Sequence, residues 1–144
     1  MPNKIPLFRA KSLGFERDMI TFFVQYKNFR VITTAVVDTG CPFTILSENS
    51  LKRSRIPYHS QKVVDPVLIG NIQLQLRDLG VCKLIFKEES GQTIEFDQDV
   101  YAGIPIVKGY LAQELPSFIG KNFLNNHSLS IVNRKDGSYL LKDD

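Results

Sequence analysis

The stretch Ala35-Val36-Val37-Asp38-Thr39-Gly40-Cys41-Pro42-Phe43-Thr44-Ile45-Leu46 decides how this chain is read. It is an apolar run of β-forming residues that stops at an acid, a hydroxyl and a glycine, then resumes as apolar chain. A buried strand avoids a carboxylate, because an unpaired charge out of water is costly and tends to neutralise instead. An acid at the mouth of such a strand therefore points to a use for its ionisation. The bland alternative is a capped turn in a β domain, with Thr39 and Gly40 as ordinary turn residues.

Working outward, Ile20-Thr21-Phe22-Phe23-Val24-Gln25-Tyr26 is rich in β-branched and aromatic residues and predicts a strand. Lys27-Asn28 make a turn, and Phe29 to Val37 runs straight into Asp38, so a hairpin delivers the carboxylate. Residues 1–18 carry mixed charge, Pro2, Pro6 and Gly14 without a clear period, and read as an N-terminal arm with one short strand around Ile5 to Phe8. On the other side, Ser47, Glu48 and Leu51 suggest a short helical turn, and Pro57 to Pro66 reads as loop.

Ile72, Leu74 and Leu76 alternate with polar residues, as in a half-exposed strand, and Gly70-Asn71 just before them suits a hairpin tip. Val81 to Phe86 and Thr93 to Phe96 are strands joined by a turn at Glu88 to Gln92, whereas Val100 to Val107 reads as irregular. Phe118 to Asn126 reads as a strand end, a glycine and a short helix closed by asparagines. Ser128 to Val132 and Ser138 to Leu141 form a last hairpin. Many short strands and little helix predict an all-β barrel or sandwich.

The 144 residues are read as a single domain, 1–144, whose 43% hydrophobic and 23% charged content is that of a globular chain. The net charge of +3 is scattered. Its densest group, Lys52, Arg53 and Arg55, reads as a solvated face, so no nucleic-acid partner is expected. No window reaches the roughly 18 to 20 apolar residues of a membrane span, and Met1 to Pro6 lacks the apolar core of a signal peptide. Cys41 and Cys82 form no disulfide framework, which suits free thiols and a cytoplasmic location. His59 and His127 have no Cys or acid at ligand spacing, so neither metal nor other cofactor is expected. Ser47 and Ser50 lack a His in a nucleophile motif.

A second segment, Phe118-Ile119-Gly120-Lys121-Asn122-Phe123-Leu124, follows Asp38 after about 80 residues. With Asp38-Thr39-Gly40 and Thr44 it resembles the paired motifs of the retropepsins, the retroviral-type aspartic proteases. The resemblance spans about residues 20 to 132 and rests on these two segments. It implies an all-β, closed barrel-like fold with one short C-terminal helix, and a homodimer that hydrolyses peptide bonds of a peptide or protein substrate. Aspartic proteolysis needs two carboxylates sharing a proton around a water. This chain carries one Asp-Thr-Gly, and Asp78-Leu79-Gly80 is an echo without the hydroxyl. The second carboxylate is therefore expected from a second copy, across a two-fold axis.

On this resemblance Asp38, Thr39 and Gly40 form the catalytic loop, Thr39 locking two loops together and Gly40 turning its N–H to the carboxylate. Thr44, Ile119, Gly120 and Asn122 hold the loop. Phe43, Ile45 and Phe118 wall the substrate pockets, and the 67–76 hairpin, with Gly70, Asn71 and Ile72 near its tip, is the flap. The chain termini, 1–10 or 138–142, would interleave into a dimer sheet. The sequence also departs from the pattern. Cys41 stands where Ala or Ser is usual, either as a small structural residue or as a redox-sensitive thiol. Pro42 and Lys121 replace an acid and an arginine that pair, and the flap has a single glycine. A non-catalytic peptide-binding or dimerisation module of the same fold is the opposing reading.

Overall fold

Alternation of apolar and polar residues along long strands sets the architecture. The computed structural model describes residues 3–70, 72–106 and 115–143. In chain order these form β1 (Lys4–Pro6), β2 (Phe8–Ser12), β3 (Phe15–Tyr26), β4 (Phe29–Val37), β5 (Ile45–Ser47), α1 (Glu48–Arg53), β6 (Val63–Ile69) and β7 (Ile72–Lys87). They continue as β8 (Thr93–Pro105), β9 (Ser117–Ile119), α2 (Lys121–Asn126), β10 (Leu129–Val132) and β11 (Tyr139–Lys142). The protein is mostly β with few helices. None of its described helices is long and apolar enough to cross a membrane.

Eight strands make one sheet in the order β2-β3-β4-β9-β5-β8-β7-β6, and β7 also pairs with β3 through Phe23–Ile85 and Val24–Leu84. Because side chains alternate across a strand, this sheet has two differently employed faces. One carries Ile20, Phe22, Val24, Val31, Ala35, Ile119, Leu46, Val100, Ala102, Leu84 and Phe86, all within the larger core cluster. The other carries Met19, Val36, Phe118, Ile45, Leu74 and Leu76, the smaller cluster, against which Tyr101, Val64 and Val67 pack. Aromatic contacts tie the larger cluster together: Phe86 meets Phe22 at 4.8 Å and Phe123 at 5.4 Å between ring centroids.

Several elements differ from expectation for identifiable reasons. Residues 1–18 hold not one short strand but β1, β2 and the start of β3. Arg9 opposes Asp18 and Lys11 opposes Glu16 across the β2–β3 hairpin, and charges at every second position leave only a short apolar alternation to read. The short helical turn expected from Ser47, Glu48 and Leu51 is the helix α1, in addition to the C-terminal helix that the resemblance implies. Its Ser47 hydroxyl accepts from the N–H of Ser50 at 3.2 Å, an N-cap. Residues 72–76 and 81–86 are one continuous strand, β7, bent at a bulge where Gly80 (φ +77°) donates its N–H to Asp78 Oδ1 at 2.7 Å. The segment from Val100 to Pro105 is regular because β7 pairs along its whole length. β6 begins at Val63 within the expected loop, and Pro66 falls at a register shift where no ladder N–H is needed.

The chain ends build a separate three-stranded sheet, β1-β11-β10, within one molecule. Lys4 pairs with Leu141 and Ile131 with Leu140, and Glu89 of the β7–β8 turn donates to the Lys4 carbonyl at 2.9 Å.

The two motif segments are joined below the surface by four hydroxyls. Thr33 Oγ1 lies 2.9 Å from Ser50 Oγ and 2.7 Å from Ser117 Oγ, and Ser117 Oγ accepts from the N–H of Ser47 at 2.9 Å. All four residues are buried. Removing one member leaves the others short of partners in a low-dielectric site. The Thr33→Val variant is therefore expected to lose about 1–3 kcal/mol of stability in urea denaturation, whereas Thr21→Val, at an exposed hydroxyl pair, is expected to stay near wild type.

Candidate active site

β4 ends at Val37, and the next residue, Asp38, is half-buried at the rim of the sheet. Its N–H donates to the Ile119 carbonyl at 3.0 Å, which continues the parallel pairing of β4 with β9 by one residue. The chain then turns: Cys41 N–H donates to the Asp38 carbonyl at 3.1 Å, and Gly40 N–H donates to Asp38 Oδ1 at 2.9 Å. That bond holds the carboxylate against its own turn. A Cβ on Gly40 would lie 3.2 Å from the same oxygen, so glycine gives the carboxylate its room. Thr39 is exposed, and its hydroxyl has no hydrogen-bond partner among the described residues.

Behind the turn, the loop is held by the start of α2. A helix begins with N–H groups that have no partner within it. Here Lys121 N–H donates to the Cys41 carbonyl at 2.8 Å and Asn122 N–H to the Pro42 carbonyl at 3.3 Å. Thr44 Oγ1 donates to Asn122 Oδ1 at 3.0 Å, and that oxygen also accepts from Phe123 N–H at 2.8 Å. Gly120 N–H lies 3.5 Å from Thr44 Oγ1. The two segments cross so closely at Gly120 that a Cβ there would overlap the Phe43 carbonyl and come within 2.7 Å of the Cys41 carbonyl oxygen. Ile119 is fully buried in the larger cluster, and Lys121 is exposed without an ion pair among the described residues.

The residues read as pocket walls separate into two kinds. Phe43 is half-buried, and its ring meets Tyr101 edge-on at 5.1 Å. Ile45 and Phe118 are each only 1% exposed and belong to the smaller core cluster. They form a floor under the loop rather than a free wall, because β5 and β9 are interior strands of the sheet. The β6–β7 hairpin turns between Ile69 and Ile72. Gly70 (φ +62°) is exposed there, while Asn71 lies outside the described residues. Val64, Val67, Ile69 and Ile72 pack on the same cluster as Phe43, so this hairpin shares the floor beside Asp38.

Tyr101 is a site residue that sequence reasoning missed. Its N–H donates to the Thr44 carbonyl at 3.0 Å, and burial followed by Asp78 and Asp99 raises its phenol above the usual value. Its place in a segment read as irregular hid it.

Cys41 is 2% exposed and donates its thiol to the Phe43 carbonyl at 3.3 Å. Burial raises its pKa, a backbone hydrogen bond with Phe43 opposes the rise, and the Asp38 carboxylate adds to it. Reactive thiols are exposed and ionise easily, so this one has the character of a packing residue. His127, which ends α2, packs between the rings of Phe96 (4.7 Å) and Phe123 (4.9 Å), and its Nε2 lies 3.0 Å from Gln98 Oε1. Burial, then the Lys142 cation, lowers its pKa against the opposing pull of Asp97.

No protein-family model matches the chain, and no curated protein matches it. Among solved structures it is similar to a retropepsin-like aspartic protease from Rickettsia conorii, at 14% identity and a TM-score of 0.56, over 99% of this chain and 92% of that one. A retroviral protease-like domain of Ddi1 from Leishmania major aligns over 87% of this chain and 94% of that one, at 13% identity and a TM-score of 0.42. The fold is retropepsin-like.

Two outcomes follow from this geometry. Gly120→Ala is expected to destabilise the protein by about 2–3 kcal/mol or more in chemical denaturation, because the backbones on both sides must part. For His127, a folded pKa below the unfolded one means stability present above about pH 6.5 and lost as pH falls through the folded value. The melting temperature is expected to fall on acidification, and the fall is expected to be smaller in His127→Phe. An equal fall in both would contradict the assignment.

Proposed function

We propose that this chain is an aspartic endopeptidase that acts as a homodimer, each copy supplying one Asp38 to a shared site. The observation that supports it best is the Asp38 turn. A half-buried carboxylate at a strand end receives its own loop's Gly40 N–H, and a backbone crossing at Gly120 holds it rigid from behind. A capped turn of ordinary structural use has no need of that second clamp. Catalytic groups, by contrast, depend on being held within a fraction of an ångström.

Two carboxylates brought together cannot both stay ionised, so the pair holds one proton. The ionised Asp38 takes a proton from a water lying between them as the oxygen attacks the scissile carbonyl carbon. The protonated Asp38 of the second copy gives its proton to the carbonyl oxygen, and a tetrahedral diol forms. When the C–N bond breaks, the ionised carboxylate takes one hydroxyl proton and the protonated carboxyl gives its proton to the amine nitrogen, which leaves the pair again with one proton. Thr39, exposed and without a hydrogen-bond partner among the described residues, has a hydroxyl available to bond across the two-fold axis.

The β6–β7 hairpin then acts as the flap over an extended peptide, with Gly70 and Ile72 beside its tip. Phe43 and Ile72 touch substrate side chains, and Ile45 and Phe118 support them from beneath. Closing such a hairpin excludes water and completes the site. Backbone hydrogen bonds to the peptide would provide binding that is tolerant of sequence.

A peptide-library digest tests the reading. Wild type is expected to cleave, and Asp38→Asn is expected to lose at least about a thousandfold in rate while keeping its circular dichroism spectrum and melting temperature. Equal cleavage by both proteins, or none by wild type, would overturn it.

A further inference from the structure

A shared site needs a surface on which two copies meet, and the fold restricts the choice. The terminal strands β1, β10 and β11 are paired with each other inside one molecule, and the outer side of β1 is engaged by Glu89, so of this sheet's two edges only that of β10 lacks a backbone hydrogen-bond partner among the described residues. The surface must instead lie beside the Asp38 turn, since any copy that brings its own Asp38 there meets whatever projects next to it. What projects is the β2–β3 hairpin. The pairing of β3 with β4 stops at Met19–Val36, one residue before the end of β4, while β3 and β2 pair on to Phe15–Ser12. Four residues of β3, Phe15 to Asp18, thus run past the end of the sheet, about 13 Å at 3.3 Å per residue. Their turn, Leu13-Gly14, has both residues in the left-handed region (φ +55° and +86°), the tight geometry of a stiff hairpin.

The two faces of this projection differ in chemistry. One carries the charges Arg9, Asp18, Lys11 and Glu16, opposed in pairs of opposite sign. The other carries Phe8, Ala10, Phe15 and Met19. Met19 belongs to the cluster under the Asp38 loop, and Ala10 and Leu13 pack against it. Phe15 is 70% exposed and Phe8 45% exposed, so this apolar surface begins in the floor of the site and continues outward uncovered. Its one charged residue is Arg17, whose Nε donates to the Ser12 carbonyl at 2.9 Å and whose guanidinium lies over the Phe15 ring at 5.8 Å. A like-charge barrier to self-association is accordingly small.

We infer that the β2–β3 hairpin is the arm by which a second copy of this chain is gripped, with Phe15 as its anchor. The inference rests on the proposal that two copies share Asp38. An aromatic side chain seated against a partner at the centre of a contact commonly carries a large part of the binding. Charge at that position would leave an unpaired ion in the interface.

Sedimentation equilibrium of the full chain tests the assignment, with the peptide digest run in parallel. Wild type is expected to form a dimer. Phe15→Asp is expected to weaken it by about tenfold or more with an unchanged far-ultraviolet spectrum, and Phe15→Ser is expected to weaken it by less. Phe23→Asp, on the same sheet face but inside the β3–β4 pairing, is expected to dimerise as wild type does. A wild-type affinity in both Phe15 variants, an equal loss in Phe23→Asp, or a wild type that stays monomeric at all concentrations would overturn the interface. The digest separates the two ideas. A dimer that depends on Phe15 but cuts no peptide leaves the arm standing and removes the proteolysis. A dimer that cuts normally with Phe15→Asp does the reverse.

Discussion

The structure depends on one close approach of backbone to backbone, where the segment carrying Phe43 crosses the segment carrying Gly120. Any side chain at Gly120 would occupy the Phe43 carbonyl. Only because that space is empty can the first N–H groups of α2 reach the Cys41 and Pro42 carbonyls, and Thr44 reach Asn122. These contacts replace water at a helix end that would otherwise lack partners. They join two parts of the sequence separated by about 80 residues into one rigid body with Asp38 at its outer edge.

The rest of the molecule can be understood as support for that body. β4 and β9 approach it in parallel, and β5 leaves from it between β9 and β8. The buried hydroxyls of Thr33, Ser47, Ser50 and Ser117 bind the same strands one layer further in. Cohesion comes from the larger cluster, while the smaller one lies beside Asp38 and under the β6–β7 hairpin. Dividing the apolar residues between two faces gives the fold a stable interior and a second, smaller buried cluster under the Asp38 loop.

Much of this was legible in the sequence. The β3–β4 hairpin declared itself through β-branched residues and a Lys-Asn turn, and α2 through a glycine followed by a short apolar pattern. The closeness of Asp38 to Gly120 was visible only through a family resemblance, since nothing in local periodicity reports a contact across about 80 residues. Other features were hidden for definite physical reasons. Strand β2 lies at a sheet edge and is only five residues long, so the alternation of Phe8 and Ala10 with Arg9 and Lys11 is too short to stand out. Ser and Thr read as turn residues, although four of them here form a buried network. Ile45 and Phe118 read as pocket walls because they adjoin the motifs, yet both are buried. Burial of an interior strand depends on neighbours that sequence adjacency does not reveal.

The central claim is that one site is made from two Asp38 carboxylates, and mixing tests it most directly. Wild type and Asp38→Asn are combined at fixed total concentration, allowed to exchange subunits, and assayed on a cleavable peptide as the wild-type fraction is varied. If each site needs an acid from both copies, activity falls as the square of that fraction. A fall in simple proportion would show that a single chain carries the whole site, and would contradict the account.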